Sequence, residues 1–284
     1  MSAITLYIKT YSQHIEQADR LLKSIFAHNK DNLPVVVSVN PNETELFNER
    51  WRGLNITIID DREIFQVTQP MDGWRYQQVI KSNFWRVNPN PVYLCLDSDI
   101  VFIKDFYQSD FMYTDTIPYT LMHESKDMLE FVALRKPESI NNIFYQNAQS
   151  ILRKLINNPQ SGPKWDWGPG PFIWANSVWK HFEEEYLIPN QLRFDQFMHR
   201  FEKQTGVLFS EYILYGEYLW HTELFRVVPK QPLIKSYHWK EQFVEDFNRG
   251  VRASHIRHNY LGVGIQSNWI DNQHENMVNT FLNG

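Results

Sequence analysis

The chain has 284 residues, 43% hydrophobic and 21% charged, an ordinary globular composition whose length fits one large α/β domain or two small ones. A net charge of −5 with no basic stripe excludes the field expected of a nucleic-acid-binding surface, and the lone Cys95 excludes an intrachain disulfide framework. No stretch approaches the about 20 apolar residues of a membrane span, and Met1-Ser2-Ala3-Ile4-Thr5 lacks the basic-then-apolar pattern of a leader, so a soluble, reducing compartment is expected.

Ile4 to Ile8 forms a first apolar run with strand character, ending at Lys9-Thr10-Tyr11-Ser12. Ile15, Ala18, Leu21, Leu22, Ile25 and Phe26 then fall on one face at helical spacing. Val35 to Val39 is a second strand, stopped by Asn40-Pro41-Asn42; a short helix follows at Glu43 to Arg50, and a third strand at Asn55 to Ile59. Gly73 to Val87 reads as a helix, ended by Asn88-Pro89-Asn90-Pro91. Val92 to Leu96 is the next strand. Strands that alternate with helices and are almost continuously apolar predict a mostly parallel central sheet covered on both faces. Ligands bind such sheets outside the carboxyl ends of the strands, so Lys9-Thr10-Tyr11 and Asp97-Ser98-Asp99 are expected on one rim. The first turn has no glycine-rich phosphate loop, which argues against a dinucleotide-binding Rossmann or P-loop site.

The second half is less regular. Pro137 to Asn158 reads as a helix with a stripe of Ile140, Ile143, Phe144, Ala148, Ile151, Leu152 and Leu155, broken by Gln160-Ser161-Gly162-Pro163. Trp165-Asp166-Trp167-Gly168-Pro169-Gly170-Pro171 must be loop, because alternating Gly and Pro sustain neither a helix nor a central strand. Phe172 to Ala175 reads as a strand, Gln191 to Phe201 as a helix, and Ser210 to Gly216 as the start of another, with Ser210 available to cap it. Pro232 to Tyr237 reads as a strand that delivers His238 to a rim. No internal repeat, low-complexity stretch or linker divides the chain, so one domain over 1–284 is expected.

Asp97-Ser98-Asp99 carries the most chemical information. It lies between Val92-Tyr93-Leu94-Cys95-Leu96 and Ile100-Val101-Phe102, both apolar. Unpaired carboxylates are costly in an apolar interior, so the pair calls for a cleft and a compensating cation. Carboxylate oxygens suit hard divalent ions such as Mg²⁺ or Mn²⁺, which also bind phosphate oxygens. The bland alternative is a solvated turn between two strands. Aromatic residues reach 15%; they are good core material, and Trp and Tyr also suit clefts for flat-faced ligands such as sugars and nucleobases.

Four stretches in matching order resemble the nucleotide-sugar-dependent glycosyltransferases of the GT-A fold, and among these a bacterial group associated with surface polysaccharides. They are Ile8-Lys9-Thr10-Tyr11, Gly73-Trp74-Arg75-Tyr76-Gln77-Gln78-Val79-Ile80-Lys81, Leu94 to Phe102, and Ser210 to Gly216. The resemblance is poor over residues 105–160 and beyond about 240. It implies a GT-A-like, Rossmann-type sheet flanked by helices, with a nucleotide-binding half over about 1–104 and an irregular acceptor-side half over about 105–284. It also implies metal-dependent transfer of a sugar from a nucleotide-sugar donor to a glycan or lipid-linked glycan, in the cytoplasm or at the inner face of the membrane. Asp99 becomes a Mn²⁺ or Mg²⁺ ligand, with Asp97 on the metal or the ribose. Lys9, Thr10 and Tyr11 line the nucleotide pocket, Gln78, Lys81 and Ser98 join the donor site, and a late histidine completes the metal set. His238 is the choice for that histidine and His255 the second.

Glu211 is the candidate general base, a carboxylate positioned to take the acceptor's proton; its alternative role is to complement a helix dipole. Asp166 is the other candidate, with Trp165 and Trp167 as acceptor platforms or, alternatively, aromatic plugs in a Pro-locked loop. Two further classes fit parts of the pattern. Asp97-Ser98-Asp99-Ile100-Val101 satisfies the nucleophile motif of haloacid-dehalogenase-type phosphatases, but those carry it on the first strand and need a later acidic pair, whereas Asp60-Asp61 lies upstream. A non-catalytic carbohydrate-binding protein would use the aromatics alone.

Overall fold

The computed structural model describes residues 2–139, 144–157, 162–266 and 272–284. In chain order its first half contains β1 (Ile4–Lys9), α1 (Ile15–His28), β2 (Val35–Val39), α2 (Thr44–Arg50), β3 (Thr57–Asp60), α3 (Asp61–Ile64), α4 (Gly73–Asn83), β4 (Val92–Asp97) and β5 (Ile100–Phe102). The second half contains β6 (Thr120–Leu121), α5 (Lys126–Arg135), α6 (Phe144–Leu155), β7 (Phe172–Ala175), α7 (Asn176–Phe182), α8 (Phe194–Thr205), α9 (Glu211–Thr222), β8 (Pro229–Lys230), β9 (Ile234–Tyr237), α10 (Lys240–Asn248), α11 (Ala253–Ile256), β10 (Gly262–Ile265) and α12 (Asn272–Asn283).

The central sheet has the order β3-β2-β1-β4-β7 among the described residues. β3, β2, β1 and β4 run parallel, and β7 closes the edge antiparallel to β4. Every residue of β1 and β2 is buried, as strands covered on both faces require. The expected α/β architecture with a mostly parallel sheet flanked by helices is therefore present. β3 begins at Thr57 rather than Asn55 and runs on to Asp60, whose side chain caps α3 by accepting from the Arg62 amide at 2.8 Å. α4 keeps its α-geometry to Asn83 and tightens into a 3₁₀ turn at Phe84–Arg86.

Ser98 and Asp99 form a two-residue turn between sheets, with Asp97 directly before it. Asp97 ends β4 in the central sheet, while Ile100 begins β5, which pairs antiparallel with β10 and through it stands beside β9. The chain thus leaves the parallel sheet at its carboxyl rim by way of this turn, in which Ser98 is buried.

Most of the aromatic surplus is core. Tyr7 stacks on Phe84 with ring centroids 3.8 Å apart, and Trp174 of β7 packs among Tyr93, Trp179 and Tyr215. The expected helix over Pro137–Asn158 is a 3₁₀ turn at Pro137–Ser139 followed by α6; Ile140, Ile143, Asn158, Gln160 and Ser161 lie outside the described residues. No helix among the described residues is long and apolar enough to cross a membrane.

Candidate functional site

The parallel register of β1 and β4 sets Lys9 opposite Asp97, so the two motifs expected on one rim are neighbours there. Lys9 is buried. Its ammonium lies 2.9 Å from Asp61 Oδ2 and donates to the Thr10 carbonyl at 2.8 Å and Asn40 Oδ1 at 3.1 Å. Burial lowers the Lys9 pKa against the pull of Asp61. Burial likewise pushes the Asp61 carboxyl up to about 6, with Lys9 opposing. Lys9, Asn40 and Asp61 thus join the ends of β1, β2 and β3 in one buried polar network. Thr10 is buried beside it, and its hydroxyl has no partner.

Tyr11 extends the rim. Its hydroxyl lies 3.1 Å from His14 Nε2, while His14 Nδ1 lies 3.3 Å from Ser98 Oγ. His14 therefore bridges the loop after β1 to the Asp97–Asp99 turn. Burial lowers its pKa, partly offset by Asp97. Neither His14 nor Asp61 was singled out from sequence. Their signal was position, since both follow the carboxyl end of a strand.

From the other side α4 supplies Gln78 and Lys81. The N-terminus of this helix is fixed by Asp72, whose side chain accepts from the Arg75 amide at 2.9 Å. Lys81 is buried and pairs directly with Asp97 Oδ1. Burial opposes its charge, but Asp97, Cys95 and Glu211 together hold its pKa above that of a free lysine. Lys81 is therefore not a solvated surface lysine. Gln78 Oε1 accepts from the Glu211 amide at 3.2 Å, and its Nε2 is buried without a partner.

Glu211 opens α9 and is buried. Burial pushes its carboxyl up to about 7; Lys81 and the amides of Glu211 and Tyr212 pull the other way, and Asp97 adds to the rise. Ser210 makes no side-chain cap, contrary to expectation, and its buried hydroxyl has no partner. The structure therefore assembles Asp97, Lys81, Gln78 and Glu211 from β4, α4 and α9. A carboxyl poised near neutrality beside a buried ammonium and a half-exposed carboxylate has the pattern of proton-transfer sites.

Other expected site residues fall elsewhere. Asp166 is a structural hub. Ser125 Oγ donates to Oδ2, the Gly168 amide donates to Oδ1 at 3.0 Å, and backbone bonds at 2.8 and 3.1 Å tie it to His123. Both carboxylate oxygens of the buried Asp166 are engaged within the protein, which ties it to the 123–125 and 166–168 segments. Trp167 is also buried; its indole donates to Glu217 Oε1 at 3.0 Å and fills the space a Cβ on Gly216 would need. Trp165 packs against the core and its carbonyl accepts from Gln149. The 165–171 segment is a loop in which Trp167 is buried and Trp165 packs against the core, the arrangement the aromatic-plug alternative describes.

His238 follows β9, as expected, but its electrostatic neighbours are Lys235 and His123, and burial with these holds its pKa down near 4. Among the described residues no group of three or more His, Cys, Asp and Glu side chains is placed to hold a metal, so His238 is not gathered with Asp97 and Asp99. His255, the second choice, is exposed, and its Nδ1 accepts from the Arg252 amide at 3.0 Å at the start of α11. The Asp97–Asp99 pair still fits a hard cation that takes its other ligands from phosphate and water, because such ions bind through one or two carboxylates rather than an all-protein cage.

The fold is one found in glycosyltransferases. The apo WbbM bifunctional glycosyltransferase aligns over 93% of this chain with a TM-score of 0.52 and 16% identity. The chain spans 45% of the length of that protein. Mouse xyloside xylosyltransferase 1, also apo, aligns over 94% of this chain and 99% of its own, with a TM-score of 0.49 and 12% identity. Residues 1–260 match the model of a family of unknown function, DUF6492, and the chain belongs to that family. No curated protein matches it in sequence.

Proposed function

We propose that this protein is a GT-A-type glycosyltransferase that moves a sugar from a nucleotide-sugar donor to a glycan or lipid-linked glycan acceptor, in bacterial surface-polysaccharide synthesis. The observation that carries the reading is the convergence of Asp97, Lys81 and Glu211 at the carboxyl rim of the parallel sheet, where α/β folds bind ligands. The shared fold supports it. A phosphatase of the haloacid-dehalogenase type is less well supported, because Asp97 ends β4 and is already paired with Lys81.

In this reading Asp97 and Asp99 hold Mn²⁺ or Mg²⁺. The ion, when bound, supplies Lewis-acid neutralisation of the donor diphosphate. Lys81 keeps Asp97 in place and adds positive charge beneath the departing phosphate. Lys9, Thr10, Tyr11 and Ser98 line the nucleotide side, and the unpartnered Thr10 hydroxyl is one donor a ligand would satisfy. Gln78 fixes the start of α9 through the Glu211 amide. The Glu211 carboxylate accepts the proton of the acceptor hydroxyl. That oxygen then forms a bond to the anomeric carbon, the anomeric carbon–phosphate oxygen bond breaks, and the nucleoside diphosphate leaves with the bonding electrons.

The test is incubation with a panel of nucleotide sugars and saccharide acceptors, with and without Mn²⁺. Metal-dependent release of a nucleoside diphosphate with sugar transfer is the expected result. Saturable binding of free oligosaccharide with no nucleotide binding under either condition would replace the enzyme with a carbohydrate-binding protein.

A further inference from the structure

With Trp167 buried and Trp165 packed against the core, the acceptor side of Glu211 calls for another recognition surface. Positions 74, 78 and 81 of α4 fall on one helical face, being four and three residues apart. Gln78 and Lys81 on that face belong to the site. Trp74 stands one turn beyond Gln78, toward the N-terminus of the helix, and is 41% exposed, the most open of the described tryptophans. Single exposed apolar residues are common and by themselves mean little. This one is different in being mounted on the site.

The mounting has two parts. The Arg75 guanidinium lies 6.0 Å from the indole centroid and is itself held by Asp72 and by Glu202 Oε2, the latter at 2.6 Å. The other oxygen of Glu202 accepts from the Phe209 amide at 3.0 Å, two residues before Glu211. The segment delivering the candidate base is thus tied to the residue next to Trp74. Leu208, 47% exposed, adds apolar surface to the same segment. Between Trp74 and Lys81, Gln78 Nε2 is buried without a partner, an unsatisfied donor that costs free energy until a ligand oxygen meets it.

We propose that Trp74 is the platform on which a pyranose ring of the acceptor stacks, an inference that rests on the glycosyl-transfer reading. The C–H face of a pyranose is apolar and matches an indole face, while its ring-edge hydroxyls stay free for polar groups. Stacking on Trp74 leaves an edge hydroxyl to accept from Gln78 Nε2 and to present its proton to Glu211. The substrate class is a pyranoside, recognised by ring face first and by hydroxyl pattern second.

The test is an indole ¹H–¹⁵N titration of the full chain with methyl β-glucopyranoside, methyl β-galactopyranoside and methyl α-mannopyranoside. The Trp74 signal is assigned from its loss in Trp74→Phe. At least one glycoside should shift that signal saturably, and Trp74→Ala should weaken its binding by about tenfold, with Trp74→Phe recovering part of the loss. Thermal shifts with nucleoside diphosphates and Mn²⁺, run on the same proteins, should be unchanged by Trp74→Ala. Glycosides that leave the Trp74 signal in place, or bind Trp74→Ala as well as wild type, would overturn the platform while intact nucleotide binding preserved the transferase. Glycoside binding at Trp74 with no nucleotide response would uphold the platform and overturn the transferase.

Discussion

Two carboxylates on α9, Glu211 and Glu217, are both buried, yet their surroundings are opposite in kind. Glu217 receives a forked pair from Arg153, at 2.6 and 3.1 Å, and a third bond from the Trp167 indole at 3.0 Å. The remaining donors of Arg153 reach the Gly162 and Pro163 carbonyls at 3.2 and 3.0 Å. Charge and hydrogen-bonding capacity are met within the protein, and the network locks the 162–167 segment to α9. Around Glu211 the matching is incomplete. Its nearest ammonium, Lys81, is committed to Asp97, and both Gln78 Nε2 and Ser210 Oγ are buried without partners. A buried ion pair whose donors are used serves the fold, whereas a buried carboxyl pushed up to about 7 beside unmet donors has the surroundings expected of the proposed base.

Three substitutions sharpen the contrast. Glu211→Gln has the largest expected effect: kcat should fall by about 10²–10⁴-fold, because the amide cannot accept a proton, while nucleoside diphosphate affinity by calorimetry changes little. The same variant should melt higher than wild type at pH 8. The native carboxyl has a pKa above its ordinary 4.5, so the stability it contributes is present below about pH 4.5 and is lost as pH rises toward 7. Gln removes that loss, worth roughly 3 kcal/mol at pH 8. Nearly normal turnover would remove Glu211 from the chemistry.

Glu217→Ala should do the reverse, costing about 3–5 kcal/mol of stability in denaturant titration by stranding Arg153. The protein that remains folded should turn over at the wild-type kcat. A selective loss of kcat without destabilisation would show that the two carboxylates had been assigned the wrong way round. Lys81→Ala is expected to have a smaller effect. Nucleoside diphosphate affinity should weaken, and without the ammonium Glu211 should ionise at higher pH. Turnover at pH 7 should therefore drop by about tenfold and recover as pH is raised. A uniform loss at every pH with nucleoside diphosphate affinity unchanged would make Lys81 a packing residue only.

The parallel sheet could be read from the sequence because its strands are short apolar runs between turn signals, and Lys9 and Asp97 followed from where two of those runs end. α5 was missed for a physical reason. Met128, Leu129, Phe131, Val132, Ala133 and Leu134 surround the helix instead of lining one face, and Leu134 is 71% exposed. The approach of Lys81 to Glu211 was not readable, since it joins α4 to α9 across more than a hundred residues with no local pattern to announce it. For Asp166, a carboxylate between two tryptophans looks the same in sequence in a binding loop as in a buried turn. Only its bonds to Ser125 and Gly168 distinguish them.

The central claim, that the Asp97–Asp99 turn and its neighbours bind a nucleotide through a divalent ion, is tested most directly by thermal shift with nucleoside diphosphates, with and without Mn²⁺, on wild type and Asp99→Asn. A ligand selective for the native state adds about 2.7 kcal/mol at a hundredfold excess over its Kd. Wild type should melt higher with at least one diphosphate plus Mn²⁺ and not with the diphosphate alone. Asp99→Asn should fold normally and show no such rise. An equal rise in Asp99→Asn, or none in wild type with any of the diphosphates, would contradict the account.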